Sequence, residues 1–475
     1  MIQEKCPYVE KCGACHMGQT TYEEELTAKK ELVESHIGKY CRNIHDVAGM
    51  YYPFHYRNKV HAVFGRLKDE VIAGTYSEGT HTIVPIDNCL IEDAQASAII
   101  KTVTELVKSF KIWIYNEDTG RGVLRHVLVR KGMSTKQIMV VLVTACPEFP
   151  HKNNFVAELR KRHPEITTIV QNINEANTTM VLGERNKPLY GEGYIEDVLC
   201  GLRFRISPNS FYQVNSAQTQ VLYKKAIQAA GLTGKETVVD AYCGIGTIGM
   251  AMASKAGKVL GIELNRDAVK DAKANAKRNN LNNIHFVAAD ATEYLTSMAQ
   301  EGAKADVVVM DPPRSGSTEE FIQAVAQLAP ERVVYVSCNP ETLGRDLESF
   351  KKVKYRAVEA WPVDMFGWTN HVETVCLLSK LHEAKHHVNV RLDVDELDLT
   401  SAESKATYEE IKKYVAEHYD GMKVSNLYIA QVKAKYGIIE RENYNKAKSD
   451  DARQPKCPKE KEEAIVEALK AFKMI

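Results

Sequence analysis

Between about residues 201 and 384 the chain has few ways to fold. The apolar runs TVVDAYC, KVLGIEL, IHFVAAD, ADVVVMDPP and RVVYVSC follow one another, separated by stretches of helical period. A run without polar alternation is a strand buried on both faces, and the helices between the runs supply the cover. The combination reads as α/β, a doubly wound parallel sheet whose ligands sit at the carboxyl ends of its strands.

The flanks differ in texture. Residues 1–200 mix β-rich runs (VHAVFGRL, RGVLRHVLVRK, QIMVVLVTA, TTIVQNIN) with helical patterns near 22–38 and 92–111, an α+β region with antiparallel pairing. Residues 385–475 are polar and helical. There YEEIKKYVAEHYDGMKVSNLYIAQVKAKYG reads as two amphipathic helices about a Gly-containing turn, either a helix-turn-helix unit or a hairpin packed on the body. DDARQPKCPKEKEE is expected to be a flexible link before a last helix. Three domains follow, 1–200, 201–384 and 385–475, in line with a prior of about 150 residues each.

Lys+Arg and Asp+Glu both number 62, which excludes a generally basic nucleic-acid coat or an acidic tail but allows a local basic face. No apolar run reaches the roughly 18 residues of a membrane span, and MIQEKCPYVEKCGACH lacks the apolar stretch of a signal peptide. A cytoplasmic monomer without membrane contact is expected. In a reducing compartment, any clustering among the 11 cysteines points to metal binding or catalysis. Cys41, Cys146, Cys200 and Cys376 have the neighbours of packed segments and are assigned nothing.

In VVDAYCGIGTIGM a strand ends at Asp240 and a Gly-rich turn with Gly244 and Gly246 opens a helix. Such a turn lets backbone approach a ligand, and the helix start favours an anionic group. The next strand ends about 20 residues on at Glu263, where an acid can hold both hydroxyls of a ribose. A third acid, Asp290, ends the following strand and is placed to read an adenine amino group. Together they imply a nucleoside site. The third glycine falls at Gly249, which departs from G-x-G-x-x-G and favours S-adenosylmethionine over NAD.

The later strand ends carry reactive groups. Asp311 in MDPPRSG puts a carboxylate and rigid backbone over the crevice, and Asp suits a substrate offering a ring N–H. Cys338 in YVSCNP lies at the same edge as a candidate nucleophile. Glu373, entering an apolar strand after His371, is costly there unless paired or functional, and is a candidate general base. At the N-terminus, Cys6, Cys12 and Cys15 form C-x5-C-x2-C, with Cys89 a distant fourth. Spacing alone leaves structural zinc and a [4Fe–4S] cluster equally open.

Taken together, FYQVN (211–215), DAYCGIGTIG, DPPRSG, SCNP and HVE resemble the RNA uracil-C5 methyltransferase family, most closely its iron–sulfur type acting on 23S ribosomal RNA. The resemblance covers about residues 6–378. It implies a Rossmann-like S-adenosylmethionine-dependent methyltransferase domain preceded by an α+β iron–sulfur and RNA-binding region; the small helical C-terminal segment beyond residue 385 is not covered by the family's motifs. It implies that Gln213, Tyr242, Gly244, Glu263, Asp290 and Asp311 hold cofactor and substrate. Cys338 would attack carbon 6 of uracil, Glu373 would take the carbon 5 proton, and Phe211 would offer a stacking face for a flipped-out base. It also tips Cys6, Cys12, Cys15 and Cys89 to a [4Fe–4S] cluster with a scaffolding role. The implied partner is ribosomal RNA, before or during ribosome assembly. The alternatives are the same reaction on transfer RNA or a non-catalytic RNA chaperone. Relatives of this type often carry an OB-like domain ahead of the first cysteine; only MIQEK stands there here, so that domain is expected to be missing. Arg57, Lys59, Arg121, Arg125 and Arg130 are candidate phosphate contacts.

Overall fold

The computed structural model describes residues 6–68, 70–381, 408–436 and 457–472. Contacts divide the chain into two compact units, Met1–Glu383 and Ala384–Ile475. The first opens with the short turn α1 (Val9–Cys12) and α2 (Tyr22–Ile37). Helix α2 starts where it does because Thr21 and Glu24 close a capping box, each satisfying the other's backbone N–H. Its buried residues Tyr22, Glu25, Lys29, Val33 and Ile37 recur every three or four positions, so one stripe faces inward. The strand β1 (Asn43–Ile44) follows.

A seven-stranded sheet comes next, ordered β4-β3-β2-β5-β6-β7-β8. It comprises β2 (Lys59–Leu67), β3 (Glu70–Tyr76), β4 (Ile83–Pro85), β5 (Leu124–Lys131), β6 (Ile138–Thr144), β7 (Ile166–Ile173) and β8 (Arg185–Tyr190). Helix α3 (Ala94–Ser109), capped by Asp93, precedes β5, and α4 (Lys152–Arg162) joins β6 to β7. The pairing is antiparallel except at β6–β7, which is parallel. This corrects the all-antiparallel expectation: α4 carries the chain back, so β7 runs in the direction of β6. Ile99, Val103, Phe155 and Leu159 pack one face of β5 and β6. Leu128, Met139, Val141 and Val143 on the other face belong to the core of the following sheet.

That second core begins with the hairpin β9 (Ile195–Leu199) and β10 (Leu202–Ile206) and with α5 (Ser216–Ala230). There follow β11 (Thr237–Ala241), α6 (Thr247–Ala253), β12 (Lys258–Glu263), α7 (Arg266–Arg278), β13 (Ile284–Ala288), α8 (Ala291–Gln300) and β14 (Val307–Met310). The unit closes with α9 (Glu319–Leu328), β15 (Arg332–Ser337), α10 (Pro340–Lys352), β16 (Tyr355–Val363) and β17 (Glu373–Lys380). The eight strands are ordered β1-β16-β17-β15-β14-β11-β12-β13, and β11 to β15 are mutually parallel. The order reverses between β11 and β14, which opens a crevice at their carboxyl ends. Strand β17 runs antiparallel between β15 and β16. Four crossover helices start on a side-chain cap: Asn265, Asp290, Thr318 and Asn339, the last followed by Pro340 at the first helical turn.

Two of the expected phosphate contacts are structural instead. Arg125 is buried and donates through Nη1 to the carbonyls of Asn174 (3.0 Å) and Ala176 (2.8 Å). Arg130 is also buried, and its Nη1 donates to the carbonyls of Ser210 (2.9 Å) and Ser207 (3.3 Å). Their charges satisfy loop carbonyls and are out of reach of a phosphate. Arg121 is exposed, and Arg57 and Lys59 are half-buried.

In the second unit α11 (Tyr408–His418) and α12 (Asn426–Lys435) share a core with a third helix, α13 (Lys459–Ala471). Ile411, Val415 and Ile429 meet Ile465, Ala468 and Leu469 there. The helix pair thus buries its apolar faces against α13. The expected link extends less far than its composition suggests, since α13 already begins at Lys459; residues 450–456 lie outside the described residues. Among the described residues no helix is long and apolar enough to cross a membrane.

A buried ion network joins the two ends of the first unit. Lys29 Nζ lies 2.6 Å from both Glu25 Oε1 and Asp364 Oδ1, and donates to the Phe366 carbonyl at 3.1 Å. The Tyr22 hydroxyl donates to the other oxygen of Asp364, and Glu25 Oε1 accepts from the Trp368 N–H (2.7 Å). Removing the ammonium leaves two carboxylates facing each other without water. Lys29→Ala is therefore expected to lower unfolding stability by about 3–5 kcal/mol, read as the shift of the urea midpoint. A change within about 0.5 kcal/mol, as at an ordinary surface site, would show the network to be solvated.

Candidate active site

The crevice is built from strand ends. Asp240, on β11, accepts the Gly249 N–H at 2.7 Å through Oδ2. A side chain at Gly249 would put its Cβ 2.7 Å from that oxygen, so only glycine fits. Asp240 Oδ1 is buried without a hydrogen-bond partner, an acceptor that suits an N–H or ammonium group of a ligand. Burial, with the nearby Asp311 and Glu263 carboxylates, lifts the Asp240 carboxyl to about 7. At the end of β12, Glu263 accepts from Gly244 N through Oε2 (3.0 Å) and from Asn265 N through Oε1 (2.8 Å). Both oxygens are thereby fixed and keep lone pairs for a diol. Asp290 caps α8, accepting from Thr292 N (2.9 Å) and Glu293 N (3.1 Å) through the same oxygen.

Tyr242 is held at φ +62°, a left-handed conformation that costs a non-glycine residue about 1–3 kcal/mol and concentrates at functional sites. Its ring packs 5.1 Å from Phe321. Leu264, directly after Glu263, is 70% exposed, an apolar surface at the rim that the motif reading passed over. An apolar residue after an acid at a buried strand's end is the signal that would have found it. These groups fit a nucleoside carrying an ammonium, as S-adenosylmethionine does.

Across the switch point, Asp311 follows β14, and its N–H donates to the Ala241 carbonyl at 3.5 Å. Ser337 pairs with Thr374 in the β15–β17 register, so Cys338 and Glu373, one residue beyond each, lie at the same edge. Glu373 is buried; burial and the Asp311 carboxylate push it up to about 8. Burial raises Asp311 to about 7. The Cys338 thiol is raised to about 11, first by burial and then by Glu373 and Asp311, while Arg314 pulls it down. Arg314 Nη2 stands 3.4 Å from His371 Nδ1. Gln213 is buried one turn before α5, its carbonyl accepting from Asn58 Nδ2 (2.9 Å). Phe211 is 66% exposed, open for a stacking role.

Arg345 and Asp346, which no motif marked, staple the Asp-Pro-Pro loop. Asp346 Oδ2 accepts from Ser317 N (2.7 Å) and the Tyr335 hydroxyl (2.7 Å). Arg345 Nη2 donates to the Ser315 (2.9 Å) and Ser317 (3.0 Å) carbonyls.

Three of the four expected metal cysteines belong to one apolar cluster: Cys6, Cys15 and Cys89 pack with Met17, Tyr22, Tyr56, Ile91 and Trp368. Cys12 lies close enough that Cys6 raises its thiol, after burial, the larger cause. Cys89 is pushed up to about 12, mainly by burial and in smaller part by Glu92 and Cys15. Among the described residues no three His, Cys, Asp or Glu side chains are gathered as ligands of one metal ion. The thiols share a neighbourhood without converging on a point.

Comparison with known proteins places this arrangement. The sequence model of a family described as tRNA (Uracil-5-)-methyltransferase matches residues 183–381. An uncharacterized RNA methyltransferase of Caldanaerobacter subterraneus subsp. tengcongensis is 42% identical over 383 residues, covering 80% of this chain and 85% of the relative. One of Halalkalibacterium halodurans is 41% identical over 381 residues, covering 79% and 83%. Among solved structures, Pyrococcus abyssi tRNA (uracil-54, C5)-methyltransferase in complex with S-adenosyl-L-homocysteine superposes with a TM-score of 0.63 at 27% identity, covering 79% of this chain and 87% of that one.

The thiol's environment has a measurable consequence. Because Cys338 titrates near 11, its alkylation by iodoacetamide, followed by peptide mass spectrometry, should be slow at neutral pH and rise up to that value. Glu373 is ionised only above about 8, so Glu373→Gln should accelerate alkylation at pH 9 and leave it unchanged at pH 6. Equal rates for wild type and variant at pH 9 would show that the two groups do not interact.

Proposed function

The chain belongs to the RNA uracil-5-methyltransferase family, and on that premise we propose that it methylates carbon 5 of a uridine in 23S ribosomal RNA through a covalent adduct with Cys338. One observation carries the reading: the β15–β17 register sets Cys338 beside Glu373 at the edge that also holds Asp311. S-adenosylmethionine, when bound, supplies an electrophilic methyl group.

This chain's residues do the rest. Glu263 and Asp290 hold the nucleoside end of the cofactor, with Gly244 and Tyr242 lining it, and Asp311 and Gln213 orient the uracil by its imide edge. The Cys338 thiolate attacks carbon 6, which makes carbon 5 nucleophilic toward the methyl group. Glu373 then takes the proton from carbon 5, and the Cys338 thiolate leaves as the ring regains its double bond. Burial raises the proton affinity of the Glu373 carboxylate, which makes its ionised form a stronger base than an exposed glutamate.

The choice of ribosomal over transfer RNA rests on the N-terminal cysteines, which the resemblance ties to the ribosomal type. Transfer RNA is a second reading, favoured by the likeness to the Pyrococcus abyssi enzyme. Mapping 5-methyluridine in both RNAs, with and without the gene, decides between them. In either case Cys338→Ala should abolish methyl transfer while keeping cofactor affinity. Glu373→Gln should stall with RNA bound to Cys338, visible as a slow-migrating species on denaturing gels. Turnover by Cys338→Ala would rule out the covalent route.

We propose a [4Fe–4S] cluster on Cys6, Cys12, Cys15 and Cys89, supported by the packing of Cys6, Cys15 and Cys89 in one apolar cluster and by the nearness of Cys12 to Cys6. Bound there it would tie the N-terminal loop to the loop carrying Cys89, and no step of the reaction passes through it. The same reading makes the protein a cytoplasmic monomer. Protein purified without oxygen should contain iron, and Cys89→Ser should release it and open the N-terminal region to limited proteolysis. Zinc without iron in that preparation would overturn the cluster.

A further inference from the structure

The loop from Met50 to Tyr56 presents two tyrosines to solvent from a backbone that is otherwise tied down. Tyr51 is 102% exposed and Tyr52 62%, in a molecule whose other aromatic rings are mostly packed away. On the α5 side, Asn215 Nδ2 donates to Met50 Sδ at 3.1 Å. The Met50 N–H donates to the Tyr22 hydroxyl (2.8 Å). On the other side, Trp368 Nε1 donates to the Pro53 carbonyl (2.9 Å), and the Tyr56 hydroxyl to the Gly367 carbonyl (2.9 Å). The loop therefore spans from the residue two beyond Gln213 to the segment that leads into His371 and Glu373. It is thus tethered to both chain segments that lead to candidate-site residues, Asn215 near Gln213, and Gly367 and Trp368 ahead of Glu373.

The tyrosines border a groove of about 590 Å³ whose lining includes Phe54, Asn215 and Gln218 and no aspartate or glutamate. The first turn of the fifteen-residue α5 lines the same groove, adding a positive helix end where phosphates would pass. Tyr52 leans on Phe54, with ring centroids 5.1 Å apart at 47°, so it is propped rather than loose. A propped ring such as Tyr52 on a pinned backbone loses little freedom when a flat ligand stacks on it, and Tyr51 stands next to it on the same backbone. Arg57 and Lys59, the nearest Arg and Lys in sequence, are half-buried, so neither outreaches the rings.

We propose that Tyr51 and Tyr52 form a stacking platform for unpaired nucleotides flanking the target uridine, so that this face binds single-stranded RNA. The inference rests on the RNA-methylating reading above and specifies how the site holds its substrate. Base–aromatic stacking is sequence-tolerant, because every base has a π-face. The platform thus selects for unpaired structure around the uridine, while the crevice selects the base itself.

The test uses the full chain, a fluorescein-labelled oligouridylate, and a blunt RNA duplex of equal length. Wild type should bind the single strand more tightly than the duplex. Tyr51→Ala with Tyr52→Ala should weaken single-strand binding on the order of tenfold or more, and in turnover with unmodified RNA should raise KM with kcat nearly kept. Tyr51→Trp with Tyr52→Trp should bind at least as well as wild type, and Tyr51→Leu with Tyr52→Leu as poorly as the alanine pair. Unchanged S-adenosylmethionine affinity in all three shows that they are folded. The platform is overturned if the alanine pair binds the oligouridylate like wild type, or if leucines serve as well as tryptophans, the outcome expected of a protein-docking face. Wild type that makes no 5-methyluridine in either RNA would instead defeat the functional reading on which the platform rests.

Discussion

A buried ammonium between two carboxylates holds together parts of this chain that lie 335 residues apart. Lys29 alone would be intolerable in that interior, and so would Glu25 and Asp364 without it. Their mutual need fixes α2 against the segment Asp364–Trp368, which connects β16 to β17. That segment also receives the Tyr56 hydroxyl, and the Pro53 carbonyl takes the indole N–H of Trp368. The N-terminal cysteines, the aromatic loop and the segment leading into β17 thus share one anchor.

The crevice itself is organised by the cost of burying charge. Asp240, Asp311 and Glu373 are each raised to about 7 or 8, chiefly by burial, and the thiol of Cys338 higher still. Near neutrality the crevice holds protons on groups that would be anionic in water. A cationic ligand entering such a place favours their ionised forms, as would any nearby positive charge. Arg314 already acts in that direction on Cys338 from within the chain. At Glu263 backbone N–H groups of Gly244 and Asn265 fix the two carboxylate oxygens.

Much of this was legible from residues alone where the signal is local. The alternation of apolar runs and helical periods marked the parallel strands, and Asp240, Glu263, Asp290, Asp311 and Cys338 could be read as strand-end groups. Legibility failed where partners are remote. Arg125 and Arg130 stand in a strand that reads as basic, yet their hydrogen bonds go to carbonyls at Asn174, Ala176, Ser207 and Ser210. The parallel β6–β7 pair was missed because α4 is mostly polar and buries only Phe155 and Leu159. Asp346 and Arg345 carry no motif, since their work is on a loop about 30 residues earlier.

By itself the sequence determined the kinds of chemistry available: a thiol, four acids and a glycine turn at the ends of buried strands. Those follow from periodicity and residue type, which act over a few neighbours. Tertiary structure decided which of them meet. Strand β17 inserts antiparallel between β15 and β16, and only that insertion brings Glu373 alongside Cys338. It likewise decided that the tyrosines at 51 and 52 face water while Arg125 and Arg130 do not. Strand order and burial depend on how distant apolar faces and buried charges find partners, and no local pattern encodes that choice.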